Sequence, residues 1–362
     1  KQINILILST LFKMKINNKK IGLNYPPYII AELSANHQQS LSRAKKIIFN
    51  AKKAGADAVK IQSFDLNEMT LNINKKDFVI RNKKNIWYRR NLYNLYRQAQ
   101  TPKEWHKKIF DYCKKIKITC FTSVFDLPTL KFLKKFNLPA YKVASFENNH
   151  LPLIAKLAKQ KKPLIISTGM CNINDIKEIY KILIKENCKN FAFLKCTSAY
   201  PTNPKESNIS AIEKLRSIFK CNVGLSDHTQ GIGAAVASIS HGATIIEKHL
   251  VLKKNDKSLD EKFSLDPKQF KDLVIETKNA WLAQGKNTIT VTQSEKKFLF
   301  FKRSIYVSKD VKKNERVNNS NIKIIRPSYG LHPKYINLVN KKKFKNNYKI
   351  GTPLQFNMLK NS

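Results

Sequence analysis

Gly224-Leu225-Ser226-Asp227-His228-Thr229, read together with Glu247-Lys248-His249, is the stretch on which the fold turns. Each run closes a short apolar segment, Cys221 to Leu225 in the first case and Ala243 to Ile246 in the second. Each therefore sets one imidazole just past the end of a strand. Two histidines from consecutive strands, at one mouth of a barrel, can hold a divalent metal, because imidazole binds through a neutral ring nitrogen. Two His ligands that leave positions open for water and substrate suit a catalytic ion better than a closed structural one. The competing reading is a pair of core-edge histidines hydrogen-bonded to backbone.

Outward from this stretch the chain alternates. Apolar strand-like runs fall at 28–33, 58–61, 118–122, 140–145, 163–167, 191–196, 222–226 and 243–248. Helical periodicity follows each of them, at 41–54 (stopped by Gly55), 102–116 (opened by Pro102), 127–136, 151–160, 174–187, 207–219, 232–241 and 267–283. Strands alternating with helices imply a parallel sheet, and eight such units over ~250 residues fit a (β/α)8 TIM barrel of class α/β, placed at 25–284. An open doubly wound sheet is the alternative. No G-x-G-x-x-G follows the first strand, which counts against it.

Three stretches stand outside the alternation. Residues 1–24 read as an N-terminal extension and lead-in, the first 13 of them as upstream sequence or a tail with no role in the fold. Their apolar run lacks the small-residue cleavage site of a signal peptide. Residues 63–100 break the rhythm with Asn, Lys and aromatics, and read as an insertion or long loop with one helix near 89–98. Residues 285–300 read as a linker, and 301–362 as a small, mostly β domain that needs something to pack on.

The chain has 362 residues, 42% of them apolar, and a formal charge of +43. That charge resembles a nucleic-acid binder's. However, only nine of the 68 basic residues are Arg, the side chain preferred for bidentate phosphate contacts, and the Lys are scattered rather than striped. Abundant Lys, Asn and Ile together point to an AT-rich coding sequence instead, so no nucleic-acid partner is expected. The charge still attracts small anions over long range. Six cysteines without a C-x-x-C pair read as reduced residues of a cytoplasmic protein. No run reaches the ~18 apolar residues of a membrane span, so no membrane partner is expected.

A barrel carries its chemistry at the C-terminal ends of its strands. In order, those ends read Glu32; Lys60 and Gln62; Thr122 and Ser123; Lys142 and Ser145; Ser167 and Thr168; Thr197 and Ser198; Ser226 and His228; Glu247 and His249. Every end is polar. Two lysines within a ring of hydroxyls make a site for a small, highly charged anion such as a phosphate or carboxylate. The serines taken singly are equally readable as helix N-caps, and the lysines as Schiff-base formers. Glu32 and Asp260 suit sugar hydroxyls, amides or proton shuttling. Glu147, just past the fourth strand, can activate a water. Ion pairing or plain solvation is the alternative for each acid.

The runs Ile29-Ile-Ala-Glu-Leu-Ser-Ala-Asn-His37, Ala54-Gly-Ala-Asp-Ala-Val-Lys-Ile-Gln62 and Pro139-Ala-Tyr-Lys-Val-Ala-Ser145 resemble the nonulosonic (sialic) acid synthase family. So do Ile165-Ile-Ser-Thr-Gly-Met170, Lys195-Cys-Thr-Ser-Ala-Tyr-Pro201 and the two histidine runs. The resemblance extends in order from about residue 24 to 356. Arg303-Ser-Ile-Tyr and Arg326-Pro-Ser-Tyr-Gly-Leu-His-Pro-Lys-Tyr335 resemble that family's antifreeze-like (SAF) domain. The Glu32 and Tyr329 motifs look more like its pseudaminic acid branch than its N-acetylneuraminate branch. The resemblance implies a transferase that condenses phosphoenolpyruvate with an N-acylated amino sugar and releases phosphate. It makes His228 and His249 ligands of a divalent metal ion (Mn2+, Mg2+ or Co2+). It assigns Lys60, Lys142, Ser123, Ser145, Ser167, Ser198 and Ser226 to phosphoenolpyruvate, and Glu32, Gln62, Tyr200 and Asp260 to the sugar. Glu147 would help deliver water. Arg326 would reach in from the other subunit of a domain-swapped homodimer. Neuraminate or legionaminate synthesis, and a non-catalytic basic protein on a barrel scaffold, are the alternatives.

Overall fold

A computed structural model describes residues 14–361. Residues 1–13, read above as upstream sequence or tail, lie outside the described residues. The chain divides into two compact units between Gly285 and Lys286.

The first unit opens with an antiparallel hairpin, β1 (Met14–Ile16) and β2 (Lys19–Ile21), in register Met14↔Ile21. Eight parallel strands follow: β3 (Tyr28–Glu32), β4 (Ala58–Ser63), β5 (Thr119–Val124), β6 (Tyr141–Val143), β7 (Leu164–Ser167), β8 (Phe191–Cys196), β9 (Asn222–Asp227) and β10 (Ile245–His249). They close into a barrel, β10 returning to β3 with Ile245 opposite Tyr28 and His249 opposite Glu32. The strands are buried on both faces, so they read as continuous apolar runs rather than alternating ones. Residues such as Ile29, Val59, Tyr141 and Val223 pack outward onto the helices. Tyr28, Ile30, Ala58, Ala140, Ala192 and Ile245 pack inward, in one cluster with Met14, Ile16 and Ile21 of the hairpin. These inward residues belong to the N-terminal halves of their strands, so the hairpin plugs the bottom of the barrel. The lead-in of the sequence reading thus contains core. Two strands of three residues each are too short for their alternation to register.

Local chemistry sets the helix limits. Ser40 caps the helix Leu41–Ala54 by accepting from the Arg43 N–H, and Gly55 ends it at φ 93°, where a glycine carries no Cβ penalty. Asp266 and Gln269 form a reciprocal capping box at Pro267–Ala283. The expected helix from 207 begins instead at Ala211, because Asn208 sits at φ 45° and breaks the turn. The helix expected from Pro102 begins at Trp105, after a turn. Residues 63–100 hold two short helices, Leu66–Met69 and Leu92–Ala99, each N-capped by an Asp or Asn.

The second unit contains two antiparallel pairs, β11 (Ser304–Val307) with β12 (Ile322–Ile325) and β13 (Lys342–Phe344) with β14 (Leu359–Asn361). It has its own core of Ile305, Val307, Val317, Phe344 and Leu354. Among the described residues, no helix is long and apolar enough to cross a membrane.

Candidate active site

The C-terminal ends of the barrel strands converge on a cavity of about 280 Å³. From β4, Lys60 ion-pairs with Glu32 of β3, donates to Ser123 Oγ at 2.8 Å and lies 3.6 Å from Glu247 Oε2. From β6, Lys142 donates to Ser167 Oγ at 2.7 Å and lies 3.9 Å from Glu247 Oε1. Ser226 of β9 donates to Glu247 Oε1 at 3.0 Å. Glu247 therefore stands between the two lysines. The sequence reading gave it no role beyond a strand end. The signal was present, since strand side chains alternate and Glu247 shares a face with His249 two residues on.

All four charged groups are buried, and their surroundings set their ionisation. Burial drives the Glu32 carboxyl up to about 7, against Lys60 and with help from Glu247. Burial also raises Glu247, but Lys142 and Lys60 outweigh it and hold that carboxylate below its ordinary value. Burial likewise opposes the Lys60 ammonium, which Glu247 and Glu32 hold protonated. Lys142 is pulled down by burial to about 8, with Glu247 resisting and Lys60 adding. Glu147 is pushed by burial to about 7, against the attraction of Lys142.

The two histidine rings lie 5.3 Å apart, both against Phe263. Burial, then His228, Lys60, Lys248 and Lys142, force His249 well below its ordinary value, so its imidazole is neutral. Its Nδ1 is buried without a hydrogen-bond partner, 3.8 Å from Asp260 Oδ2. His228 turns Nδ1 toward Thr197 O at 3.3 Å and Cys196 Sγ at 3.8 Å. Burial raises the Cys196 thiol, but His228, Ser145 and Lys142 bring it down to about 7. Among the described residues, no group of three or more His, Cys, Asp or Glu is arranged to hold a metal. Two neighbouring imidazoles, one neutral with a buried and unpartnered nitrogen, fit an ion that keeps open positions rather than a closed one.

On the other side of Glu32, the Ser34 N–H donates to Glu32 Oε1 at 2.7 Å, and Gln62 Nε2 donates to Ser34 Oγ at 2.8 Å. Ser34 Oγ in turn donates to Asp260. Ser34, absent from the sequence-based set, links three members of it. Tyr200 stacks near Trp87, Phe146 and Phe263, with its ring centroid 4.6 Å from that of His228. Glu32, Lys60, Gln62, Lys142, Ser145, Glu147, Ser167, Tyr200, Ser226, His228, His249 and Asp260 all line the cavity. Ser123 supports Lys60 without lining it. Ser198 also does not line it. A Cβ at Gly169 would stand 2.2 Å from Ser198 Oγ and 2.6 Å from Ser145 Oγ, so this glycine gives both hydroxyls their room. Arg326 belongs to the second unit, where it is exposed.

Paired lysines with hydroxyl donors, carboxylates and two imidazoles at the C-terminal mouth of a parallel barrel define a TIM-barrel enzyme that handles a small polyanion. The chain belongs to the NeuB family, which it matches over residues 47–288, with a SAF domain over 302–360. It is a phosphoenolpyruvate-dependent nonulosonic acid synthase, a transferase, and enzymes of the family use divalent metals. A pseudaminic acid synthase of Campylobacter jejuni is 44% identical to it over 328 residues, spanning 91% of this chain and 95% of the relative. A pseudaminic acid synthase of Helicobacter pylori is 39% identical over 330 residues, spanning 91% and 96%. The crystal structure of N-acetylneuraminic acid (sialic acid) synthetase from Leptospira borgpetersenii, in complex with citrate, matches with a TM-score of 0.70 at 30% identity. That match covers 79% of this chain and 95% of that one.

Proposed function

We propose that this protein makes pseudaminic acid, condensing phosphoenolpyruvate with 2,4-diacetamido-2,4,6-trideoxy-L-altrose and water and releasing phosphate. The observation that supports it most is the placement of two buried lysines, bridged by Glu247, beside two imidazoles at one barrel mouth. The 44% identity to a pseudaminic acid synthase over 91% of the chain supports the branch. The cytoplasm is the compartment this reading implies.

Lys60 and Lys142 hold the phosphate and carboxylate of phosphoenolpyruvate, with Ser145, Ser167 and Ser226 donating O–H bonds. Ser123 positions Lys60 from behind. Glu32, Gln62, Tyr200 and Asp260 hold the open-chain sugar with its aldehyde near the enol carbon, so that the approach is close to productive. The C3 carbon of phosphoenolpyruvate bonds to the aldehyde carbon with the electron pair of its C2=C3 bond, leaving C2 oxocarbenium-like. The aldehyde oxygen becomes a hydroxyl by taking a proton from the Glu32 carboxyl, which burial raises to about 7. Water adds to C2, its proton passing to Glu147, whose carboxyl near 7 both accepts and returns protons at neutral pH. The tetrahedral C2 then expels phosphate. His228 and His249 would hold a Mn2+, Mg2+ or Co2+ ion, which when bound would supply Lewis-acid polarisation of the sugar carbonyl. Arg326 of the second unit completes the sugar side from the other subunit of a domain-swapped homodimer.

Phosphate release from phosphoenolpyruvate is the test, run with Mn2+ and each of three sugars: the diacetamido-trideoxy-altrose, N-acetylmannosamine and the legionaminate precursor. Release with the altrose sugar, abolished by a chelator and restored by Mn2+, is the expected result. Release with another sugar alone overturns the branch, and release with none, from folded protein, overturns the enzyme reading. Borohydride trapping of substrate would point to a Schiff base on one of the lysines instead.

A further inference from the structure

The chemistry above uses no side chain between residues 64 and 99. Yet this segment supplies a large share of the cavity lining: Phe64, Ile80, Trp87, Leu92, Leu95 and Tyr96. The cavity thus has two unlike parts, one of lysine, carboxylate, hydroxyl and imidazole, the other of aliphatic and aromatic carbon. The segment is rich in Lys and Arg, but none of them lines the cavity. Asn85 does, with its Oδ1 accepting the Trp87 N–H at 2.8 Å.

The segment is pinned rather than draped. Trp87 Nε1 donates to Leu259 O at 3.3 Å, beyond β10, and the Trp87 ring lies 5.7 Å from Tyr200, beyond β8. Gln100 Nε2 donates to Phe64 O at 2.9 Å, which ties the two ends of the segment together. Gln39, beyond β3, donates to Gln98 O at 2.9 Å and Gln100 O at 2.8 Å. The Phe64 ring packs edge-on to Phe125 at 5.4 Å and to Tyr96 at 6.2 Å.

We propose that this apolar wall is the specificity element of the sugar subsite: it takes the C6 methyl and N-acetyl methyls of a 6-deoxy, doubly N-acylated sugar and discriminates against sugars with hydroxyls there. The inference rests on the function proposed above and deepens it. A hydroxyl pressed against carbon loses its hydrogen bonds to water and finds no replacement. An apolar pocket rejects an added hydroxyl by roughly 100-fold and a missing methyl by roughly 10- to 200-fold.

Two measurements test it, both on the full chain with Mn2+. In the wild type, the altrose sugar is compared with its analogue bearing a hydroxyl on C6. The analogue is expected to be turned over with kcat/KM roughly 100-fold lower, and equal efficiency overturns the proposal. The second measurement uses Leu92→Asn, which keeps side-chain size while adding polarity, and Ile80→Thr, which adds polarity at the loss of one methyl. Each is expected to lower the preference for the deoxy sugar by about 10-fold or more, with KM for phosphoenolpyruvate unchanged. Retained thermal stabilisation by phosphoenolpyruvate shows that each variant is folded. An unchanged preference, or equal loss on both sugars, overturns the proposal. A folded wild type that releases no phosphate with any of the sugars removes the enzyme reading itself, so the two failures are told apart.

Discussion

Glu147 carries a signature that its neighbours in the cavity can be compared against. Its carboxyl is buried beside the fourth strand and pushed up to about 7. A folded-state pKa above the unfolded value means that the fold prefers the protonated form. Its contribution is therefore fully present below about pH 4.5 and is lost as pH rises through about 7. The whole shift corresponds to roughly 3 kcal/mol. Glu147→Gln removes that loss. The melting temperature of the variant is expected to exceed the wild type's at pH 8, the gap closing toward pH 5, while kcat falls about 100- to 10,000-fold. A gap that does not change with pH would show that Glu147 is not buried in this way. Among site residues, those at strand ends were legible in the sequence because the barrel dictates where they point. Ser34 was not, and Glu247, legible as a strand end, was not legible as the bridge between two lysines, since these roles come from partners on other strands and on the loop after β10.

At the scale of elements, β1 and β2 are the surprise. Met14, Ile16 and Ile21 fill the bottom of the barrel, and Ile16 is fully buried. Ile16→Ala should therefore lower stability by about 2–5 kcal/mol in urea unfolding. Because the cavity lies at the opposite end, KM for phosphoenolpyruvate should stay as it is. A cost under ~1 kcal/mol would mean that the plug is not packed as described. The barrel strands and most of the helices around them were legible from apolar runs of four to six residues. In the segment 63–100 the helix expected near 89–98 is found at Leu92–Ala99, but the path of the rest was not legible, because it depends on anchors at Leu259, Tyr200 and Gln39 that lie far off in the chain.

For the whole molecule, the proposed domain exchange makes a complementation test available. Lys142→Ala disables a barrel mouth and Arg326→Ala disables a SAF domain. Mixed and re-associated, the two inactive proteins form heterodimers in which one site has both residues. Activity should then return to at most about a quarter of the wild-type level, as exchange between twofold-related subunits requires. No recovery, with heterodimers demonstrated, would mean that Arg326 does not act across subunits. The net charge of +43 acts at the same scale, drawing anionic substrate from beyond contact distance in a way that salt screens.

By itself, the sequence determined the closed parallel barrel, the small second domain and the ring of polar strand ends. Strand and helix periods are local, and barrel closure converts them into side-chain positions without further information. Only the tertiary structure decided that Glu247 bridges the lysines, that the hairpin plugs the barrel, and that residues 64–99 form an apolar wall over a charged floor. Each of these arises between residues distant in the chain. Burial and partner charge, which fix whether a carboxylate or an ammonium holds its proton, exist only once those distances have closed.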